Sequence, residues 1–405
     1  MRNRDFLKLY IGQLGSGVGD RLHQMALLGV ILQVHQTAKA EETARLIFFG
    51  TLPVLLFSLL AVAWTDRWSR KLTMVAADWL RAGFAFVIPL IRHFDPSVRA
   101  LYGVVFVMGT LATFHGPARL AAMPRIAEPR LLMAANALSN SSGAVAGLLA
   151  IPLAGFAVQA LGPNPCFVID GFTFVFSGLL IALISRSLRP VPENGASAQP
   201  KSTLSDGRAG LAYVTTHTEA LPLVLLGSVF AFVSGVLLVA VLAFATAQLK
   251  LSGFGVGLLI SSGGAGMAIG LAVVGRSRRL RQLTALPYLA HVLMGACIAV
   301  VPLTRSPWLV GLALLGVGAM AGMASVPTDT RLQEIVPDAR RGGVFSAKQL
   351  LAALAFLLAL WMQFATRQLR ELSPEAVLVS LGVVSAAGGT MLYGLHRAAT
   401  RFRTV

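Results

Sequence analysis

The chain has 405 residues, of which 56% are hydrophobic and 13% charged, with 34 Lys and Arg against 17 Asp and Glu, a formal net charge of +17. A mean hydropathy of +0.73 is far too high for a soluble protein of this size, because burying so much apolar surface requires lipid. A nucleic-acid partner is excluded by placement: the basic residues punctuate apolar runs instead of gathering on one polar domain with interleaved aromatics.

Apolar runs of about 18 residues or more predict twelve membrane-spanning helices, over 6–34, 44–65, 72–91, 100–118, 137–160, 166–185, 221–247, 255–274, 284–303, 307–327, 346–366 and 376–395. The first run is too long for a signal peptide and is interrupted by Asp20, Arg21 and His23, so it reads as a retained helix. Asp20 falls near the bilayer midplane, where an unpaired carboxylate costs about 2.5–3.5 kcal/mol on insertion scales. It must therefore face a cavity or a partner. His23 and Gln24 follow at helical spacing, and the three are candidates for a protonatable patch that binds substrate or coupling proton. A purely structural bond from Asp20 to a neighbouring helix, allowing the surface of Gly12, Gly15 and Gly19 to pack closely, is the alternative.

Between the second and third runs lies Asp66-Arg67-Trp68-Ser69-Arg70-Lys71, which must sit in water at a membrane face. A degenerate copy, Gly275-Arg276-Ser277-Arg278-Arg279, returns 209 positions later. A second echo has an offset of 210, with Pro117, Ile126, Glu128 and Arg130 matching Pro327, Val336, Asp338 and Arg340. Two such loops argue for duplicated six-helix halves. In the third run, Asp78 and Arg81 have the spacing of an intrahelical ion pair near the cytoplasmic end. Asp170 in the sixth run is placed close to the outer face, partly hydrated. The polar stretch 186–218, with Pro190, Pro192, Gly195 and Pro200, reads as an exposed linker between halves 1–185 and 219–405.

In the second half, Ser234, Gln349 and Gln363 are candidate inward polar groups, with Phe230, Phe232 and Trp361 nearby. The run Gly263-Gly264-Ala265-Gly266 lacks the strand and Lys of a phosphate cradle and reads as a close helix contact. Cys166 and Cys297, in opposite halves, give neither a disulfide framework nor metal spacing, and His115 and His291 stand alone. Lys and Arg favour one side of the twelve-span arrangement by roughly three to one, which predicts that both termini and the linker are cytoplasmic.

These features resemble the major facilitator superfamily, whose loop between helices 2 and 3 carries a Gly, three residues, Asp-Arg, one residue, Gly-Arg and a further basic residue. Asp66, Arg67, Arg70 and Lys71 fit, while Val62 and Ser69 replace the glycines. The resemblance implies an all-α membrane protein of two pseudo-symmetric six-helix bundles, in which Asp66, Arg67, Arg70 and Lys71 act as a conformational gate, with Asp78 and Arg81 assigned to the same gate. Asn3-Arg4-Asp5-Phe6, Gly12-Gln13, Gly19-Asp20, Asn136 and the stretch from Leu332 to Asp338 are similar to the enterobactin-exporter-like and macrolide-efflux-like branch, and several are shared with lysophospholipid flippases. Two features depart from proton-coupled drug exporters: no Arg lies between Tyr102 and Phe114, and only Pro152 and Gly155 remain of the usual helix 5 element.

The expected function is secondary active export of a hydrophobic or amphipathic small molecule, drug-like or siderophore-like, by a monomer in the bacterial inner membrane. No cofactor or nucleotide motif accompanies it, so an ion gradient, of protons, supplies the energy. A lysophospholipid flippase is the alternative, and a non-transporting receptor the alternative of another class; neither a nucleophile–base pair nor a metal-binding helix supports an enzyme.

Overall fold

The computed structural model describes residues 4–35, 40–126, 148–185, 188, 203–217, 219–366 and 371–401; of some residues within these, Asp66 and Asp338 among them, only the backbone is described. Among the described residues the regular structure is helical throughout. The helices are α1 (Arg4–His35), α2 (Ala40–Arg67), α3 (Arg70–Phe94), α4 (Leu101–Ile126), the described part of α5 (Leu148–Leu161), α6 (Pro163–Ala182), α7 (Thr203–Thr216), α8 (Ala220–Ala247), α9 (Gly253–Arg276), α10 (Arg278–Gln282), α11 (Leu286–Val300), α12 (Pro307–Ile335), α13 (Asp338–Ala365) and α14 (Pro374–Arg401). Nine of them, among the described residues, are long and apolar enough to cross a membrane: α3, α4, α6, α8, α9, α11, α12, α13 and α14. Helices α1 and α2 are as long, at 32 and 28 residues. Part of the expected 137–160 span lies outside the described residues.

The chain forms two compact units, Met1–Ala196 with Leu251–Ser261, and Ser197–Lys250 with Ser262–Val405. In the first, α6 packs against α1 and α3, and α4 against α2 and α3. At one end of this unit Phe6, Leu9, Met74, Met123, Ile126, Ile181 and Leu188 form an apolar core. Basic side chains cap that end: Lys71 Nζ donates to the Ile184 carbonyl at 2.8 Å, Lys8 donates to that of Leu183, and Arg70 Nη1 donates to that of Ala121 at 2.9 Å. Cations at the C-terminal end of α6 complement its dipole.

In the second unit α11 packs on α12 and α14, while α8 packs on α13 and α14. The stretch expected to be an exposed linker departs from that expectation. Its residues 203–216 form α7, which packs along α13 and buries Tyr213 and Val214 in the core with Leu223, Leu332 and Val344. The close approach occurs at Gly210, where a methyl group would collide with the Gly343 backbone. Proline and glycine further upstream hid a helix whose apolar residues Tyr213 and Val214 are covered by α8, α12 and α13 together.

The predicted repeats are expressed as matching helix ends. Ser69 caps α3 by accepting from the Leu72 N–H at 3.4 Å, and Ser277 caps α10 by accepting from that of Leu280 at 3.3 Å. The capping serines set the register of this loop at 208 residues, one less than the charge pattern indicates. Pro117 and Pro327 lie inside α4 and α12, not at their ends, and both helices run on to Ile126 and Ile335. Proline is tolerated inside such helices because neighbouring groups satisfy the freed carbonyl.

Candidate functional site

The polar side chains of the first unit converge between α1, α3, α4 and α6. Asp20 on α1 forms an ion pair with Arg81 on α3. The Arg81 guanidinium carbon lies 4.0 Å from the ring centroid of Phe174, a fully buried residue of α6, a cation–π arrangement that fixes its plane. The pair is lopsided: 40% of the Asp20 side chain is accessible but only 10% of that of Arg81.

One turn before Arg81, fully buried Asp78 accepts a hydrogen bond from Ser177 Oγ at 2.7 Å. Its other oxygen is 3.5 Å from Nε2 of His115 on α4, beyond a good hydrogen bond, and neither atom has another hydrogen-bond partner among the described residues. His23 of α1 pairs with Asp170 of α6, Nδ1 to Oδ2 at 3.0 Å, with the Phe167 ring edge-on at 5.1 Å. Thr173 donates to the Asp170 carbonyl at 2.8 Å. One further turn along α4 from His115, Arg119 Nη1 donates to Gln13 Oε1 at 3.3 Å.

Glycine makes this contact possible. A methyl group at Gly19 would collide with Thr173 Oγ1 and lie 2.5 Å from Asp170 Oδ1. Gly19→Ala is therefore expected to lower stability by about 1–3 kcal/mol through overpacking, read as a reduced melting temperature of the purified protein. An unchanged melting temperature would mean that α1 and α6 separate without cost.

The family model of the Major Facilitator Superfamily matches residues 9–360. The chain belongs to the major facilitator superfamily. It is thus a multi-pass membrane transporter and not an enzyme. The uncharacterized MFS-type transporter YkuC of Bacillus subtilis (strain 168) is 22% identical over 238 residues, covering 58% of this chain and 55% of YkuC, so the match spans about half that relative's length. YfiS of the same organism, another uncharacterized MFS-type transporter, is 24% identical over 370 residues, 88% of this chain and 85% of its own. The POT family transporter PepTSo shares the fold, with a TM-score of 0.75 at 11% identity over 99% of both chains.

In this facilitator the side chains singled out in the sequence are distributed differently from expectation. Asp78 and Arg81 do not pair with each other; Arg81 reaches across to α1, and Asp78 turns to α6 and α4. Asp20, His23 and Gln24 do not form one patch. Steps of three and four residues leave side chains about 60° and 40° apart around a helix, so His23 turns to Asp170, while exposed Gln24 accepts from Arg21 at 2.9 Å. Asp170 is fully buried instead of partly hydrated, because α1 and α3 both cover α6.

Of the gate residues, Arg70 and Lys71 are engaged with carbonyls of their own unit, Arg67 is exposed, and the side chain of Asp66 lies outside the described residues. In the second unit Ser234 donates to the Phe230 carbonyl of its own helix at 2.8 Å, and Gln349 is exposed. Buried Gln363 donates to the Ala359 carbonyl at 3.2 Å and, more weakly, to that of Gly235 at 3.5 Å, linking α13 to α8. The ion pair of Asp329 with Lys348, joining α12 to α13, has no counterpart in the candidate set.

Two contributors, Arg119 and Ser177, escaped the sequence reading, and His115, read there as standing alone, lies 3.5 Å from Asp78. Ending the fourth helix at 118 separated Arg119 from His115, although the spacing of four puts them on one face once α4 continues to Ile126. The arginine missing between Tyr102 and Phe114 is thus matched by one lower on the same helix.

Proposed function

We propose that this transporter is a secondary active exporter of a hydrophobic or amphipathic small molecule, working by alternating access of its two halves and energised by protons. It is assigned to the enterobactin-exporter-like and macrolide-efflux-like branch, as a monomer in the bacterial plasma membrane with both termini cytoplasmic. The observation that carries this reading is the accessible Asp20 carboxylate, held by a buried arginine within a cluster of carboxylates and imidazoles. Such charge inside a membrane-spanning bundle is costly unless it serves binding or coupling. Asp20 is the substrate-facing group, with the buried carboxylates behind it available to protons. Ser234, Gln349 and Gln363 are secondary candidates on the other half, and Asp66, Arg67, Arg70 and Lys71 form the cytoplasmic gate.

The test is flux in proteoliposomes for cationic drugs, catecholate siderophores and lysophospholipids, each with and without a pH gradient. Acceleration of cationic or siderophore export alone is expected; gradient-independent movement of lysophospholipid alone would replace the reading with a flippase. Loss of a charge-assisted contact amounts to about 1.5–3 kcal/mol. Asp20→Asn should therefore weaken substrate affinity by roughly 10- to 100-fold, and unchanged flux at every imposed gradient would remove Asp20 from the site.

A further inference from the structure

We infer that the Asp329–Lys348 pair of the second unit is a binding subsite for a zwitterionic head, an ammonium and a carboxylate on one amphiphile, which opens the pair and closes a ring of four alternating charges with it. The inference rests on the carrier reading above and adds a substrate class to it. Asp329 belongs to α12 and Lys348 to α13, and their ion pair joins the two helices. Both residues lie within segments long and apolar enough to cross a membrane, Asp329 six residues before Ile335 and Lys348 ten after Asp338. At 1.5 Å per residue the pair is about 9–15 Å inside the helix ends. Charge at that depth turns to a partner or to a cavity. Here it does both, since 45% of the Asp329 side chain and 18% of that of Lys348 remain accessible.

The lysine is held in place by its neighbours. Its stem crosses α8 at Gly227, where an added methyl group would lie 3.1 Å from Lys348 Cε, and its Nζ is 5.9 Å from the centroid of the Phe345 ring. An ammonium has three donors and a carboxylate two acceptor oxygens. Their mutual bond, Nζ to Oδ1, uses one of each, and among the described residues the remainder have no hydrogen-bond partner. Unspent donors therefore stand beside an unspent acceptor, with opposite charges.

Charge balance selects the ligand. The pair is neutral, and the charge of Arg331, the next along α12, acts on Tyr288 of α11 and His396 of α14. A cation at Asp329 would leave a net positive charge inside the bundle, and an anion at Lys348 a net negative one; either is costly away from bulk water. A head carrying both charges binds without that cost, its ammonium donating to Asp329 and its carboxylate accepting from Lys348. Nor does the repeat itself require an acid here. With the offset of 210 that relates Pro117 to Pro327, Asp329 corresponds to Arg119, a base that donates to Gln13. The first half folds with the opposite sign at this place, so the carboxylate serves the second half's own chemistry.

The experiment is equilibrium binding, to the full-length transporter in lipid nanodiscs, of three probes that share one tail: Nε-octanoyl-lysine, a zwitterion; its carboxamide, a cation; and its Nα-acetyl derivative, an anion. Flux of the zwitterion is measured in liposomes in parallel. Two charge-assisted contacts in place of one should make the zwitterion bind tighter than either analogue by at least about tenfold. Asp329→Asn should reverse the order in favour of the anion, and Lys348→Gln in favour of the cation. If a single variant does not fold, the double variant Asp329→Asn/Lys348→Gln, which leaves neither charge unpaired, should lose the preference for the zwitterion. Equal binding of the three probes by the wild type, no binding of any of them, or variants that weaken all three alike and keep the wild-type order overturn the subsite. Zwitterion-selective binding without flux instead overturns the carrier reading and leaves the subsite standing.

Discussion

Replacing Arg81 by Met should abolish gradient-driven flux and destabilise the protein by about 3 kcal/mol, the low end of the range for breaking a buried pair because Asp20 can rehydrate. Met keeps the length of the side chain and its contact with Phe174. It removes the guanidinium from Asp20. The double variant Asp20→Asn/Arg81→Met should regain part of the stability and none of the flux, a non-additivity that identifies the pair as a unit. Thermal unfolding of the purified variants and flux in liposomes measure both. Wild-type stability with normal gradient-driven flux would show that the cluster is incidental.

In the second unit the largest effect is expected from Gly318→Val. Helices α9 and α12 meet backbone to backbone: a methyl group on Gly318 would strike the Gly263 carbonyl, one on Gly266 the Leu315 carbonyl, and one on Gly270 the Ala319 carbonyl. In lipid, close packing of this kind drives helix association, and small residues permit it. A valine must separate the helices along the contact, at about 3 kcal/mol, the upper part of the overpacking range. Gly264 is the internal control, since nothing lies within 4 Å of the position its Cβ would take. Gly264→Val should leave the melting temperature nearly unchanged. Equal losses at both positions would assign the effect to helix propensity and remove the close contact as its cause.

The Gly263–Gly266 run was legible as a packing element because glycine in an apolar helix has few other uses. Which of its glycines touch a neighbour was not, since that depends on the azimuth of α12. Asp20 was legible for a similar reason, the cost of its charge, yet its partner was not. Arg81 lies 61 positions away, and the spacing rule offered Asp78 as a nearer candidate. Sequence periodicity supplies pairs within a helix, whereas the choice between helices is made by α6, which brings α1 and α3 together. Residues that carried the branch resemblance occupy these same contacts: Asp5 accepts from the Ser185 N–H at 3.1 Å, Gln13 holds Arg119, and Gly19 admits Asp170. Helix ends were underestimated wherever charge begins, as in α4 and α12, because a hydropathy window stops at the lipid boundary while backbone hydrogen bonding continues into water.

The docking of α7 also sets the reach of the covalent tether. Leu188 is buried in the core of the first unit, and Tyr213 and Val214 of α7 in the core of the second. Between these two anchoring points, Leu188 and the start of α7 at Thr203, the chain runs through residues 189–202. Even fully extended, this segment spans about 50 Å. A tether of this length holds one half at a millimolar-scale effective concentration around the other. Separately expressed halves would lose that enforced proximity, so their pairing would depend on how crowded the bilayer is.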